Sequence, residues 1–265
     1  MNAAVFVQSQ PTRPCMEIPE LSIIIPARDE EGNIQPLLAE LESVMSAAGL
    51  RWEVIVIDDA SSDQTGDQLR DARLQHPTLK VLSFGSHRGK SAALAAGILA
   101  SRGLLIGTMD ADLQNCPVDF LPMIAMMNQD PGLTLIQGHR IRRRDSWTKR
   151  QASRLGFFTR RIILGDHVRD TGCALRLLRR RQAIDLPLHY EGMHRFLPFL
   201  VVLNGGKVQE VPVDHRPRNS GHSKYHVGPL TRGLGGFLDL LVVRWMMWRR
   251  RAVTDDVVAE PSGES

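Results

Sequence analysis

Short apolar runs alternate along the first half of the chain with segments whose apolar positions recur every three or four residues. The first pattern is typical of buried strands and the second of helices packed on one face. The strands predicted in this way are 21–25, 52–57, 79–84, 104–109 and 133–137. The helices predicted between them are 30–48, 63–74, 90–101 and 117–127. This alternation indicates βαβ units, and therefore an α/β domain with a parallel sheet covered by helices on both faces.

The second half of the chain has fewer strand signals, with one short strand predicted at 210–213. A helix predicted at 146–164 carries an apolar stripe of Trp147, Leu155, Phe158 and Ile162. A helix predicted at 234–248 carries a second stripe, made of Leu234, Phe237, Leu238, Leu241, Trp245 and Trp248. Three arginines at 249–251 follow that helix. Such a segment is typical of an interfacial helix on anionic lipid, and a helix docked on the domain or on another subunit is the alternative.

The pattern divides the chain into four regions. Residues 1–17 are predicted to be a flexible tail, 18–230 the α/β domain, 231–251 an amphipathic helix on a membrane surface, and 252–265 a disordered tail. The N-terminal residues lack the basic start and apolar run of a signal peptide, so secretion is not expected. No run of about 18 apolar residues occurs, so no membrane-spanning helix is expected.

Composition narrows the class of protein. A chain of 265 residues with 43% hydrophobic residues suits one well-packed domain. The three cysteines form no Cys-x-x-Cys pair, which argues against a zinc site or a disulfide framework and favours a reducing compartment. The net charge is only +4, but thirteen arginines and one lysine face three aspartates between residues 140 and 181. This block indicates an anionic partner, which could be nucleic acid, phosphate groups or an acidic membrane surface, and a solvated basic face is the alternative. Nucleic acid is disfavoured because few aromatic residues interleave with the basic ones.

Acidic residues follow the fourth predicted strand, at the edge of a parallel sheet where ligands bind. Asp110 and Asp112 are separated by one residue, and Gln114 follows them. Carboxylate and amide oxygens are suitable ligands for a hard divalent cation such as Mg²⁺ or Mn²⁺. Such a cation can assist the departure of a diphosphate. An Asp-rich turn is the alternative interpretation.

Other strand ends also carry polar groups. Asp58 and Asp59 follow the second strand, where a carboxylate can bind a nucleobase or ribose or can cap the next helix. Residues 87–90 combine two basic residues and a glycine at the start of a helix, which favours phosphate binding. The Walker and dinucleotide-binding glycine patterns are absent, which argues against an ATPase and a nicotinamide-dependent enzyme. Loop 215–225 is rich in groups that bind phosphate, or is a mobile basic loop.

These segments together resemble the family 2 glycosyltransferases of the GT-A fold, and more narrowly the dolichyl- and undecaprenyl-phosphate sugar transferases. Matching runs occur in the family's order at 21–30, 54–65, 88–97, 109–117, 170–176 and 215–225. The resemblance implies a GT-A (Rossmann-like) fold, with a mostly parallel sheet flanked by helices and a C-terminal amphipathic interfacial helix region. The chain departs from the family at Asp29, where asparagine is usual, and at Gln64, where glycine is usual.

The resemblance also implies roles for individual residues. Asp110, Asp112 and Gln114 would hold Mg²⁺ or Mn²⁺ and the donor diphosphate, with Asp110, Asp112 and Arg140 as the catalytic group. The nucleotide-sugar pocket would comprise Pro26, Ala27, Glu30, Asp58, Asp59, Lys90, Asp110, Arg218 and Lys224. The acceptor phosphate would be bound by Arg140, Lys149, Arg150 and Ser153. The segment 194–196 also matches a family segment near the site.

The sequence therefore predicts an inverting transferase that moves a sugar from a UDP- or GDP-sugar to a polyprenyl phosphate such as undecaprenyl phosphate. The product would serve cell-envelope glycan synthesis or lipid A modification, at the cytoplasmic face of the inner membrane, with the enzyme bound peripherally. A phosphate monoester is already ionised at neutral pH and needs no catalytic base. The alternatives are a family 2 enzyme with a soluble or saccharide acceptor, for which Asp170 is the candidate base, and a non-catalytic membrane-surface module. The identity of the sugar, the nucleotide base and a homo-oligomeric state stay open.

Overall fold

A computed structural model describes residues 18–141, 147–217 and 229–249 of the protein, with only the backbone described at 147–155 and 229–234. Seven strands form one sheet in the order β3-β2-β1-β4-β6-β5-β7. The strands are β1 Leu21–Ala27, β2 Trp52–Asp58, β3 Leu79–Ser83, β4 Leu105–Thr108, β5 Leu133–Arg140, β6 Arg176–Arg179 and β7 Lys207–Val213. The helices are α1 Ile34–Ala47, α2 Thr65–Gln75, α3 Gly89–Ala100, α4 Phe120–Gln129, α5 Trp147–Leu164, α6 Arg180–Ala183, α7 Leu197–Leu203 and α8 Pro229–Arg249. Two 3₁₀ turns lie at Pro117–Asp119 and Met193–Arg195.

The central strands are apolar throughout because helices cover both of their faces. Ile23 of β1 and Val54 of β2 pack into the layer formed with α1 and α4, whereas Ile24 and Ile55 pack into the layer formed with α3 and α7. A strand buried on both faces has no solvent-facing positions to fill with polar residues. The α/β fold with a mostly parallel sheet flanked by helices is therefore confirmed.

The sheet is mostly parallel, as predicted, with one antiparallel strand. β6 runs antiparallel to both of its neighbours, β4 and β5. Its four residues begin and end with arginine, which interrupts the apolar pattern that marks the other strands. Yet Arg176 is only 2% exposed, because its guanidinium donates to Gln137 Oε1 and to the carbonyl of Thr171. The sequence pattern did not predict β6 because an arginine normally marks an exposed position, whereas Arg176 is buried with internal hydrogen-bond acceptors.

Helix α8 packs on the domain through a face other than the predicted stripe. Leu240 and Val243 are buried in the core layer that also contains residues of α3 and α7. Asp239 adds a polar contact, with one of its oxygens 3.7 Å from Arg195 Nη1. The described members of the stripe remain exposed: Phe237, Leu238, Leu241, Trp245 and Trp248. The helix therefore docks on the domain and still presents an apolar surface.

None of the described helices combines the length and the low polarity that crossing a bilayer requires. On α5, Phe158 and Ile162 are 56% and 82% exposed, so the described part of its predicted stripe also faces outward. Helices α5 and α8 contact each other. Their exposed apolar side chains therefore belong to neighbouring elements. The predicted tails at 1–17 and 252–265 lie outside the described residues.

Candidate active site

The predicted site residues after β1, β2 and β4 meet at one edge of the sheet. β1 pairs in parallel with β2 on one side and with β4 on the other, so the chain changes direction along the sheet at this point. The carboxyl ends of parallel strands at such a switch point form a natural ligand crevice. Ala27 lies opposite Asp58, and the backbone N–H of Asp59 donates to the carbonyl of Ala27 at 2.9 Å. Pro26, Ala27, Asp58 and Asp59 therefore lie together at this edge of the sheet, and their role in binding a nucleotide stays a prediction.

Asp58 and the loop after β1 hold each other in place. The Asp58 carboxylate accepts hydrogen bonds from the N–H and the hydroxyl of Ser61, at 3.0 and 2.5 Å. The Ser61 hydroxyl in turn accepts from the N–H of Asp29 at 2.9 Å. Asp29 and Ala60 adopt left-handed backbone conformations, with φ of 48° and 55°, which the hydrogen bonds around them stabilise. The N–H of Glu30 donates to the hydroxyl of Thr65 at 2.7 Å, which adds a further link between the two loops.

Asp59 caps a helix, but not the helix that follows it in the chain. Its carboxylate accepts from the backbone N–H groups of Arg88 and Gly89, at 2.7 and 2.9 Å, where α3 begins. It also lies 2.7 Å from Nδ1 of His87. The prediction that Asp59 caps the next helix, α2, is therefore wrong, because its carboxylate caps α3. The carboxylate fixes the basic segment 87–90 at the edge of the crevice.

The segment after β4 is a tight turn that exposes part of one carboxylate. Leu113 adopts a φ of 62°, and Asn115 Oδ1 accepts from the N–H of Asp110 at 3.2 Å. Asp112 is 6% exposed and accepts from the N–H of Gln114 at 3.3 Å. The Gln114 amide donates to the carbonyl of Arg216 at 3.1 Å, so its oxygen remains the atom able to bind a cation. The side chain of Asp110 is 37% exposed and forms an ion pair with Lys90.

The charge around Asp110 keeps it ionised. Burial by itself raises the pKa of this carboxyl, but Lys90, Arg176 and Arg140 outweigh it and hold the pKa below its ordinary value. An ionised carboxylate with a second one two residues away suits Mg²⁺ or Mn²⁺. Among the described residues, no three His, Cys, Asp or Glu side chains converge into a complete metal site. Water or the oxygens of a bound diphosphate could complete the coordination of a cation held by these two carboxylates.

Two arginines lie beneath the crevice in different settings. Arg140, at the end of β5, donates from Nε and Nη2 to the two oxygens of Asp170, at 2.7 and 2.8 Å. Both partners are largely buried, at 15% and 4% side-chain exposure. Arg176 is fully internal, and burial lowers its pKa even though Asp110 and Asp170 raise it. The sequence singled out Arg140 and missed Arg176, whose only signal was its place at the end of the matching run 170–176.

Ser91 and His194 join α3 to the 3₁₀ turn at Met193–Arg195. The Ser91 hydroxyl lies 2.8 Å from His194 Nδ1 and accepts from the His194 N–H at 3.1 Å. Burial, followed by the nearby Lys90 and Arg176, lowers the pKa of His194 to about 2. The ring is therefore neutral across the physiological range. It fills the space beside Lys90 without adding another positive charge.

This histidine is expected to make stability depend on pH. Its pKa rises from about 2 in the folded state to 6.5 in the unfolded state. The unfolded chain therefore takes up a proton first as the pH falls. Stability from this group is complete above pH 6.5 and is lost as the pH falls below it, by about 2 kcal/mol between pH 7 and pH 5.

Urea unfolding at pH 7 and pH 5 measures this loss in the wild-type protein and in His194→Asn. The variant is expected to lose less stability than the wild type over this interval, by roughly 2 kcal/mol. His167→Asn, at an exposed position, controls for the loss of a histidine. Equal losses in wild type and His194→Asn would contradict a buried neutral ring.

Several predicted site residues cannot be located by their side chains. Arg218 and Lys224 lie outside the described residues, in the segment 218–228. Lys149, Arg150 and Ser153 lie on α5, of which only the backbone is described at these positions. Glu30 is described, and its carboxylate accepts from the side-chain amide of Asn33 at 2.5 Å. The roles of all these residues stay predictions.

Comparison with known proteins adds a family and a set of relatives. The profile of the family described as Glycosyl transferase family 2 matches residues 22–186. The chain is 34% identical over 245 residues to the dodecaprenyl-phosphate galacturonate synthase of Rhizobium johnstonii, covering 86% of this chain and 67% of that protein. It is 34% identical over 209 residues to the undecaprenyl-phosphate 4-deoxy-4-formamido-L-arabinose transferase of Edwardsiella ictaluri, covering 77% and 62%. The chain thus spans about two thirds of the length of these curated relatives.

Solved structures share the fold at low sequence identity. Glucosyl-3-phosphoglycerate synthase from Mycobacterium tuberculosis, solved with Mn²⁺, UDP and glucosyl-3-phosphoglycerate, matches with a TM-score of 0.63 and 19% identity over 89% of this chain and 86% of that one. A mannosyltransferase from Pyrobaculum calidifontis, solved with GDP-mannose and Mn²⁺, matches with a TM-score of 0.61 and 19% identity over 89% and 66%. Both likenesses concern the fold.

Proposed function

Because the chain belongs to glycosyl transferase family 2, we propose that it moves a sugar from a UDP- or GDP-sugar to a polyprenyl phosphate such as undecaprenyl phosphate. The observation that carries the proposal is the arrangement around Asp110, an ionised carboxylate surrounded by Lys90, Arg176 and Arg140 at the ligand edge of the sheet. Carboxylates that can bind a metal cation therefore lie beside basic side chains that can bind phosphate groups. Both curated relatives are named for a polyprenyl phosphate, dodecaprenyl phosphate in one and undecaprenyl phosphate in the other. These names support a polyprenyl phosphate as the acceptor of this chain as well.

The donor is proposed to lie across the ends of β1, β2 and β4. Asp58 and Asp59 keep the adjoining loops in position, and Pro26, Ala27 and Glu30 form the wall of the nucleotide pocket. When bound, a Mg²⁺ or Mn²⁺ ion held by Asp110, Asp112 and Gln114 would offset the diphosphate charge and favour its departure. Lys90 lies beside these residues and provides a further positive charge. Arg218 and Lys224 are proposed to close over the donor from the loop at 215–225.

The acceptor needs no catalytic base. A phosphate monoester has a second pKa of about 6, so its oxygen is already a nucleophile at neutral pH. The protein must instead hold two anionic groups together, which is unfavourable unless cations lie between them. We assign this task to Arg140, with Lys149, Arg150 and Ser153 on α5. Attack in line with the departing diphosphate would invert the anomeric carbon.

The alternative with a soluble or saccharide acceptor is less well supported. It needs a base to take a hydroxyl proton, and Asp170 is the candidate from the sequence. Both Asp170 oxygens accept hydrogen bonds from Arg140, and the carboxylate is 4% exposed. A carboxylate held in this way is poorly placed to accept a proton from a substrate. The geometry therefore favours an acceptor that arrives ionised.

Incubation of the full chain with undecaprenyl phosphate, a panel of UDP- and GDP-sugars and either Mg²⁺ or Mn²⁺ tests the proposal. Formation of a lipid-linked sugar with at least one donor, abolished by EDTA, is the expected result. Absence of a lipid-linked product with every donor would overturn the proposal. Transfer to free sugars in parallel reactions would instead support the alternative acceptor.

The product is proposed to serve cell-envelope glycan synthesis or lipid A modification.

The proposed acceptor is a membrane lipid, so the enzyme must reach a bilayer surface. The exposed apolar side chains of α8 and α5 provide a surface suited to the interface, and Arg249 lies about 6.0 Å from the rings of both Trp245 and Trp248. Apolar side chains beside basic ones bind anionic lipid through burial and charge together. We place this surface on the cytoplasmic face of the inner membrane. A homo-oligomer formed through the same surface in two copies of the chain is the alternative to membrane contact.

Substitution of the two tryptophans is expected to weaken membrane binding. Trp245→Gln/Trp248→Gln should lower the partition coefficient onto anionic liposomes by about tenfold or more, because two large side chains leave the interface. Flotation of the full chain measures the partition. Leu99→Gln/Leu104→Gln is the matched control, since these residues are 68% and 66% exposed near the amino end of β4, away from the site. Equal losses in both variants would contradict a specific interfacial helix.

A further inference from the structure

Lys90 occupies a position beside the proposed cation site, where its ammonium pairs with one of the carboxylates that would bind the cation. It is the second residue of α3, and the Asp59 carboxylate accepts from the backbone N–H groups of the two residues before it. Its ammonium pairs with Asp110, the first carboxylate of the proposed cation site. The Lys90 side chain is 21% exposed and the Asp110 side chain is 37% exposed, so the pair is partly shielded from solvent. A lysine and a divalent cation would therefore compete for the same carboxylate oxygens.

The charges around this carboxylate are balanced before any ligand binds. Asp110 pairs with Lys90, and Arg176 and Arg140 also act on its carboxylate, so its negative charge is already compensated. Arg140 is matched separately by Asp170. A bare dication would leave this partly buried region with two excess positive charges, and such an imbalance is costly at low dielectric.

A nucleoside diphosphate changes this balance. The donor, a nucleoside diphosphate esterified to a sugar, carries two negative charges, so its complex with one dication is neutral and adds no charge to the site. The free nucleoside diphosphate carries about three negative charges at neutral pH, so its complex with one dication is an anion. Either complex can bind Asp110 through its cation and can accept the displaced ammonium of Lys90 on its phosphate oxygens. One lysine therefore has a suitable anionic partner both before and after the donor binds.

We propose that Lys90 is an internal counter-cation that exchanges Asp110 for the donor diphosphate, and so makes binding of the divalent cation depend on binding of the nucleotide. This inference rests on the proposed function, and it adds that the divalent cation binds together with the nucleotide and not before it. The divalent cation binds weakly alone and tightly as its nucleotide complex. Lys90 acts as a positioning residue that excludes a cation arriving without its diphosphate.

Mn²⁺ titrations followed by the electron paramagnetic resonance signal of the free ion test this exchange, with the full chain alone and with saturating UDP or GDP. The expected effect of Lys90→Gln is Mn²⁺ affinity about tenfold higher without nucleotide, together with nucleotide affinity about tenfold lower in the presence of Mn²⁺. Lys90→Met is a second neutral variant should the glutamine be poorly tolerated. Lys90→Arg retains the positive charge and is expected to keep most of the coupling.

Lys207→Gln is the matched control. Lys207 pairs with Asp130 at 2.6 Å near the amino ends of β5 and β7, away from the site, so the substitution removes the same charge and the same kind of ion pair. It is expected to leave both affinities unchanged. Neutral variants at position 90 that bind Mn²⁺ alone no more tightly than the wild type would overturn the proposal. Sugar transfer by the wild type is assayed separately, so failure of the exchange and failure of the proposed function give different results.

Discussion

Asp110→Asn is expected to reduce kcat/KM for sugar transfer by about 10³-fold, because the site loses both a cation ligand and the group that its basic residues surround. The amide is nearly the same size as the carboxylate, so the turn after β4 should be retained. The N–H of residue 110 can still donate to Asn115, as it does in the wild type. The loss is expected in both Mg²⁺ and Mn²⁺, with initial rates of lipid-linked sugar formation as the measurement.

Asp130→Asn is the control for this substitution. Asp130 also forms an ion pair with a lysine, and the hydrogen bond from Lys207, with that from Gly132, lowers its pKa. It lies at the opposite end of the sheet, so its replacement should leave transfer within about twofold of the wild type, as for surface changes in general. Retention of more than a tenth of the activity by Asp110→Asn would remove this residue from the proposed cation site.

Arg140→Ala is expected to affect both stability and acceptor use. Removal of the guanidinium leaves the buried Asp170 carboxylate without its bidentate partner, which should lower the free energy of unfolding by about 3 kcal/mol. Because Arg140 donates two hydrogen bonds to the buried Asp170, its removal is expected to change stability as well as catalysis. Urea unfolding and acceptor kinetics should therefore be measured on the same preparations.

The double variant Arg140→Met/Asp170→Asn separates the two effects. It removes both charges together, so stability should recover by about 2 kcal/mol relative to Arg140→Ala. Acceptor kcat/KM should stay about 10²-fold low, with the donor KM within roughly threefold of the wild type. Recovery of acceptor use together with stability would show that Arg140 is only structural. A parallel loss of donor affinity would also contradict its assignment to the acceptor.

The sequence predicted the sheet well where burial is simple. β1, β2 and β4 are apolar runs because helices cover them on both sides, and polar residues follow each run where the sheet ends. β6 was missed because Arg176 and Arg179 occupy positions that a pattern assigns to solvent, although Arg176 is internal. The acceptors that make this burial possible, Gln137 and the carbonyl of Thr171, are visible only in three dimensions.

Contacts between distant segments explain the other differences. Asp59 caps α3 through Arg88 and Gly89, and nothing within the local sequence links it to that helix more strongly than to α2. Helix α8 has apolar residues on more than one face, and the sequence prediction considered only the stripe with the tryptophans, whose described members remain exposed. Leu240 and Val243 dock instead. The Lys90–Asp110 pair likewise joins two motifs that the sequence assigned to the same ligand and left unconnected.

The burial of Arg176 has a consequence for how the site responds to ionic strength. Mobile ions screen exposed charges over a Debye length of about 8 Å at 0.15 M salt, but they screen buried charges far less. Arg176 is 2% exposed, whereas Lys90 retains partial contact with solvent. Added salt therefore weakens the attraction of the outer cations for an anionic donor and leaves that of Arg176 largely intact. The attraction between Arg176 and an anionic donor is therefore expected to depend little on the salt concentration.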